Sequence, residues 1–209
     1  MGILNSLRSW NLYDTPRTVY TYSNVGGFGI DGGLSSLVGA SMANPSKLYF
    51  GIIGDLATFY DVNVLGNRHI GPNIRILVSN NGTGYEMHCP GSIGRIFGDE
   101  ADKFMAAGGH FGNKSKDLLK HFAIDLGFEY LSATTKKEYL AQIEYFLSPK
   151  HYQKPILFEV FVDVKDDDVA YTTTRELMGS ASGTAKQLAK SVLGEKGYSG
   201  LKKILGKGQ

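Results

Sequence analysis

Strand-like and helix-like patterns alternate along most of this 209-residue chain. That alternation predicts an α/β fold: a three-layer sandwich with a mainly parallel central sheet and helices on both faces. Two further observations support it. Runs such as Lys47–Ile53 and Pro155–Val164 are almost continuously apolar, as strands covered on both faces must be. Several of these runs end in glycine, asparagine or aspartate, the residues expected where an open parallel sheet presents its loops to a ligand.

Taken in order, Thr18–Ser23 alternates like a strand, and Gly32–Ala43 reads as a helix of small residues able to pack closely on a sheet. Lys47–Ile53 is the second strand. Leu56–Leu65 has helical spacing through Leu56, Phe59, Tyr60 and Val64, and Asn73–Ser79 is the third strand. Asn80–Gly98 is glycine-rich with little periodicity. Lys114–Leu126 is helical, Phe128–Leu131 a short strand, Thr135–Leu147 a helix and Pro155–Val164 the last strand. These make one domain over 1–171. Residues 172–209 form a basic tail rich in glycine, serine and lysine, expected to be mobile or docked on the surface, with short amphipathic helices at Ala185–Leu193 and Leu201–Leu205.

Charge and composition narrow the function. The net charge is +2, but six lysines and one glutamate from Leu177 onward carry +5, leaving −3 on the rest. The domain is therefore not a nucleic-acid binder. The single cysteine, Cys89, provides no disulfide framework and fits a reducing compartment, so a cytoplasmic protein is expected. No apolar run has membrane-spanning length. The start Met1-Gly2-Ile3-Leu4-Asn5-Ser6 fits a lipidation pattern, and Asn81-Gly82-Thr83 and Asn113-Lys114-Ser115 fit the glycosylation sequon. Neither reading is pursued, because the first pattern is loose and no secretory leader precedes the sequons. The histidines are too dispersed for a zinc site.

Three strand ends carry polar loops: Ser23-Asn24-Val25-Gly26-Gly27-Phe28-Gly29-Ile30-Asp31-Gly32, then Gly54-Asp55, then Ser79-Asn80-Asn81-Gly82-Thr83-Gly84. In a parallel sheet they would converge on one site. Gly27-Phe28-Gly29-Ile30-Asp31-Gly32 satisfies the dinucleotide-binding pattern, with Asp55 near the place of the ribose-binding acid. A nicotinamide-dependent oxidoreductase domain is thus one reading, but it leaves the third loop without a purpose.

A second reading uses all three loops. Gly54-Asp55-Leu56, followed after 23 residues by Asn80-Asn81, resembles the signature by which thiamine diphosphate enzymes bind magnesium and diphosphate. Such a site suits Mg²⁺, a hard cation that wants six oxygens and takes only a few from protein. The resemblance implies that Asp55 supplies a carboxylate oxygen, Asn81 its amide oxygen and Thr83 its backbone carbonyl. Gly54 would let the backbone come close, and the amides of Leu56 and Ala57 would face phosphate oxygens. Gly-Asp-Leu, the Asn5-Ser6 segment and Ser23-Asn24…Gly29-Ile30-Asp31-Gly32 are similar to the synthase of menaquinone biosynthesis that joins 2-oxoglutarate-derived succinic semialdehyde to isochorismate. The similarity runs from about Asn5 to Gly84, and more loosely to Val164.

The resemblance further implies that Ile30 lies beneath the cofactor and holds it bent, that the Gly29 carbonyl accepts from its amino group, and that Ser6 contacts diphosphate or substrate. Glu86 and His88, just past the metal loop, are the candidates for proton transfer. Trp10 and Val25 stand where the synthase has arginines that grip dicarboxylates, which points to a related 2-oxoacid decarboxylase or carboligase, a lyase or transferase, with a less acidic substrate. The activating glutamate of these enzymes belongs to a pyrimidine-binding domain. That domain is not recognisable here, so a partner domain or subunit and a homodimer or larger assembly are expected. A non-catalytic partner module is the remaining alternative.

Overall fold

The computed structural model describes residues 1–2, 5–11, 13–25, 29–104 and 115–176. The chain divides into two compact units, Met1–Val164 and Lys165–Gln209. In the second, the described residues are helical as far as 176, and Arg175 packs over the Tyr171 ring at 5.6 Å from its centroid. The tail helices expected at 185–193 and 201–205 lie outside the described residues, as do Gly26–Phe28.

The first unit is built on four strands: β1 (Tyr49–Gly54), β2 (Ile74–Asn80), β3 (Glu129–Ala133) and β4 (Ile156–Phe161). They lie in the order β1-β2-β4-β3 and every pairing is parallel. The helices are α1 (Asn5–Trp10), α2 (Gly33–Ala43), α3 (Asp55–Tyr60), α4 (Ala101–Phe104), α5 (Leu118–Asp125) and α6 (Lys136–Leu147), with 3₁₀ turns at Val62–Gly66, Tyr85–Met87 and Gly94–Glu100.

Side chains alternate across a strand, so each strand feeds two cores. On one face Ile53 of β1, Ile74, Ile76 and Val78 of β2 and Leu157 of β4 pack with Leu34 and Val38 of α2, Ala57 and Phe59 of α3, and Leu119 and Ala123 of α5. On the other, Ile156 and Phe158 of β4 and Ala133 of β3 pack with Phe146 of α6, with Leu77 of β2 and Tyr139 of α6 at the margin. The three-layer sandwich expected from the sequence is the observed architecture. The small-residue helix α2 lies close to the sheet: a Cβ on Gly51 would stand 2.7 Å from Leu37 Cδ2, so the side chain of α2 occupies the space that glycine leaves.

Two elements differ from expectation. Helical spacing over Leu56–Leu65 is split into α3 and a 3₁₀ turn because Asp61 leaves the helix and turns its carboxylate to α2. It accepts from Ser35 N at 2.7 Å and from Ser35 Oγ at 2.6 Å, thereby capping the first turn of α2. Thr18–Ser23 forms no strand. Its backbone meets Met1–Gly2, through Met1 N to Tyr22 O at 2.7 Å and Asn24 N to Met1 O at 3.4 Å, with Gly2 N in turn donating to Ile52 O of β1 at 2.7 Å, while Lys47 Nζ lies 5.9 Å from the Tyr20 ring centroid. So short a partner supports no ladder, and Tyr20 and Tyr22 stay exposed.

Arg75 on β2 is fully buried on the α6 side. Its guanidinium lies over the rings of Phe50 and Tyr152, 5.4 and 5.1 Å from their centroids, and donates to the carbonyls of Phe146 (2.6 Å), Ser148 and Lys150. These carbonyls end α6 or follow it, where a helix leaves acceptors unsatisfied. Burial lowers the Arg75 pKa. Arg75→Ala is expected to cost about 3 kcal/mol or more, because it strands buried acceptors and opens a cavity. Arg75→Lys recovers only part, since a compact ammonium cannot span three carbonyls; urea unfolding of both variants measures this.

Tyr145 on α6 stacks on Tyr152 with centroids 4.4 Å apart, and its hydroxyl donates to both carboxylate oxygens of Glu129, at 2.9 and 2.8 Å. Desolvation, then that carboxylate, push its pKa up from 10.0 to about 12. A phenol that holds its proton more tightly when folded contributes stability that is complete below the unfolded pKa and is lost as pH rises through the folded one. Stability should therefore fall between pH 10 and about 12, and Tyr145→Phe should flatten that slope in urea titrations across the range.

Candidate functional site at the strand tips

The parallel register places Gly54 of β1 opposite Ser79 of β2, so the chain leaves both strands at the same level. Gly54 is still extended (φ −78°, ψ 158°), and the next residue, Asp55, opens α3 with its side chain only 2% exposed. Thr58 Oγ1 donates back to the Gly54 carbonyl at 2.9 Å, which fixes the strand-to-helix corner. Asp55 Oδ2 accepts from the backbone N–H of Gly82 at 3.1 Å. The buried acid is thus held against the loop that leaves the neighbouring strand.

That loop is organised by its own amides. Asn80 Oδ1 also accepts from Gly82 N, at 3.0 Å, and Asn81 Oδ1 accepts from Thr83 N at 3.0 Å. Gly82 adopts φ +74°, a left-handed conformation that a side chain resists. Of the residues singled out from the sequence, Asp55 meets the loop through Gly82, whose chain neighbours are Asn81 and Thr83. A carboxylate, an amide oxygen and a backbone carbonyl are hard oxygen donors, the set that suits a divalent cation such as magnesium. Among the described residues no group of three or more histidine, cysteine, aspartate or glutamate side chains is gathered as a metal cluster.

A polar group missed by the sequence reading lies behind the loop. Glu159, in the middle of apolar β4, is fully buried. Its Oε1 accepts from Asn80 Nδ2 and its Oε2 from the Tyr130 hydroxyl, each at 2.6 Å. Desolvation raises the Glu159 pKa, the two donors oppose that rise, and the carboxylates of Asp55 and Asp117 add to it. Burial and Glu159 raise the Tyr130 pKa. The signal was present in the sequence, as one acid inside an otherwise apolar strand, Ile156–Phe161.

The remaining predicted residues surround this centre less directly. Leu56 is half-buried and Ala57 buried in the first turn of α3. Gly29 and Ile30 precede α2; Ile30 packs against the main core, and among the described residues neither hydrogen-bonds to the Asp55 loop. Asn24 Nδ2 donates to the Asp31 carbonyl at 3.0 Å, closing this first loop on itself. Ser6 is half-buried in α1. From the same helix Arg8 makes a two-pronged pair with Glu86, Nη1 to Oε2 at 2.5 Å and Nη2 to Oε1 at 2.9 Å, tying α1 to the segment after the Asn80–Gly84 loop. His88 is half-buried and its carbonyl accepts from Arg95 at 3.0 Å. Cys89 is buried, with Sγ 3.3 Å from the Glu86 carbonyl.

The fold and this site define a parallel α/β sandwich with an oxygen-lined loop pair at the carboxyl tips of two adjacent strands. No family model matches the chain. It is 34% identical over 163 residues to the 2-succinyl-5-enolpyruvyl-6-hydroxy-3-cyclohexene-1-carboxylate synthase of Bacteroides fragilis, covering 78% of this chain and 28% of the relative. The synthases of the same name from Bacteroides thetaiotaomicron and Phocaeicola vulgatus are 34% and 36% identical over 161 and 163 residues. They cover 77% and 78% of this chain, and 27% and 28% of those relatives. The chain is a homologue of this synthase family, and it spans less than a third of the length of the relatives it matches.

Because nothing lies within 4 Å of a Cβ built on Gly82, Gly82→Ala tests backbone strain alone. It is expected to destabilise by about 1 kcal/mol, measured by thermal and urea unfolding.

Proposed function

We propose that the unit Met1–Val164 is the magnesium- and thiamine diphosphate-binding domain of a 2-oxoacid decarboxylase or carboligase. The observation that carries this reading is the hydrogen bond from Gly82 N to Asp55 Oδ2, which sets the acid beside Asn81 and Thr83. Homology to a thiamine diphosphate-dependent synthase family supports it. Asp55, the Asn81 amide oxygen and the Thr83 carbonyl would hold the cation. Asn81 Oδ1 already accepts from Thr83 N, and an amide oxygen has a second lone pair for a metal. The amides of Leu56 and Ala57, with Gly54 leaving room, would face the diphosphate. Ser6 would add a hydroxyl, the Gly29 carbonyl would accept from the amino group, and Ile30 would support the ring system from below.

When bound, thiamine diphosphate supplies a carbon that adds to a 2-oxo group and stores the electron pair released with carbon dioxide. This chain's part is to bind and orient. His88 and Glu86 would move a proton near the loop; Glu86 is gripped by Arg8, so proton traffic through it would require that pair to open. Trp10 and Val25 offer no fork for a dicarboxylate, which favours a less acidic 2-oxoacid.

A pyrimidine-binding domain or subunit would complete the site and supply the activating glutamate. The apolar side chains exposed beyond the cation loop, Ile93, Ile96, Phe97 and Phe104, at 55–84%, support a covering partner, either that domain or a second copy in a homodimer. No helix among the described residues is long and apolar enough to cross a membrane, which is compatible with work in the cytoplasm.

Calorimetric titration tests the reading. Thiamine diphosphate should bind only with Mg²⁺, and Asp55→Ala should weaken it by about a hundredfold, the loss expected when one charged ligand of few is removed. Metal-independent binding of NADH would favour the nicotinamide reading instead. Cofactor binding with no decarboxylation when a pyrimidine-binding domain is added would favour a non-catalytic module.

A further inference from the structure

We propose that Glu159, backed by Tyr130, is a positioning residue for the cation loop: it selects one orientation of the Asn80 amide and so places Gly82 between the cation ligands. What the loop holds rests on the reading above; the hydrogen-bond chain does not.

A primary amide has two unlike ends. Gly82 N–H needs an acceptor, and an ionised Glu159 needs a donor. Asn80 satisfies both in one orientation only, with Oδ1 on Gly82 at 3.0 Å and Nδ2 on Glu159 at 2.6 Å. Turned over, it would set an amino group against an N–H and an oxygen against a carboxylate. Tyr130 donates to the other Glu159 oxygen at 2.6 Å, leaving Oε1 for Asn80. The polarity thus runs from Tyr130 through Glu159 and Asn80 to Gly82, whose N–H is shared with Asp55 at 3.1 Å.

Glu159 stands opposite Val78 of β2 and Ser132 of β3, in a strand whose neighbouring residues are apolar. A buried carboxylate is costly to desolvate, and the two donors on Glu159 offset that cost. The charge is also well placed for a cation. The Asp55 carboxylate, across β2 from β4, disfavours the charge on Glu159, and a divalent ion at Asp55 would relieve that repulsion.

Two measurements on the full chain decide it. The Gly82 amide resonance and its hydrogen exchange are followed in metal-free protein, and Mn²⁺ affinity is followed by electron paramagnetic resonance with thiamine diphosphate present. Glu159→Gln keeps the shape but lets the facing amides turn either way. It should move the Gly82 resonance, speed its exchange and weaken Mn²⁺ about tenfold or more, the usual size of an outer-shell effect. Tyr130→Phe keeps the carboxylate and should produce the same changes at smaller size, and it decides the matter if the glutamine variant fails to fold. Lower stability in either folded variant with an unmoved Gly82 amide and unchanged Mn²⁺ affinity would overturn the proposal. If the unaltered chain takes up no Mn²⁺ with thiamine diphosphate, the functional reading fails, and the Gly82 amide alone still decides the positioning role.

Discussion

The site depends on one shared proton. The N–H of Gly82 points between the Asp55 carboxylate and the Asn80 amide, and through it two loops that leave adjacent strands are held as a single surface. Neither loop could do this alone. Asp55 is buried at the start of a six-residue helix and is positioned by the corner at Gly54; the loop after β2 is positioned by the two asparagines and by a left-handed glycine. A charge-assisted hydrogen bond of this kind is stronger than a neutral one, and burial strengthens it further.

The sheet makes the meeting possible. Parallel pairing of β1 with β2 in the Gly54↔Ser79 register brings both strand tips to one height, and β4 on the far side of β2 brings Glu159 beneath Asn80. Anchoring at both faces keeps that frame rigid. Asp61 ties α3 to the start of α2, while Arg75 ties the end of α6 to β2.

Much of this was legible in the sequence, and the reasons are local. Continuous apolar runs identified β1, β2 and β4, and the Gly-Asp and Asn-Asn pairs marked the tips, because a strand that ends in such residues must present them to something. Periodicity over Thr135–Leu147 identified α6, and its start is fixed by a capping box of Thr135 and Glu138. What failed was non-local. Helical spacing ran through Asp61 because nothing in residues 56–65 reveals that Ser35, far away in the chain, needs its carboxylate. Alternation in Thr18–Ser23 suggested a strand, but a strand also needs a neighbour of sufficient length. Glu159 itself was visible as an acid in an apolar strand, but its role was not: its partners Asn80 and Tyr130 come from two other strands, and the sheet order brings them together.

The most direct test of the central claim is anomalous diffraction from crystals of the full chain grown with Mn²⁺ and thiamine diphosphate. One manganese peak is expected at coordination distance, roughly 2.1 Å, from Asp55, from the Asn81 amide oxygen and from the Thr83 carbonyl, with diphosphate oxygens completing the shell. Manganese bound elsewhere, or held by Asp55 with Asn81 and Thr83 turned away, would contradict it.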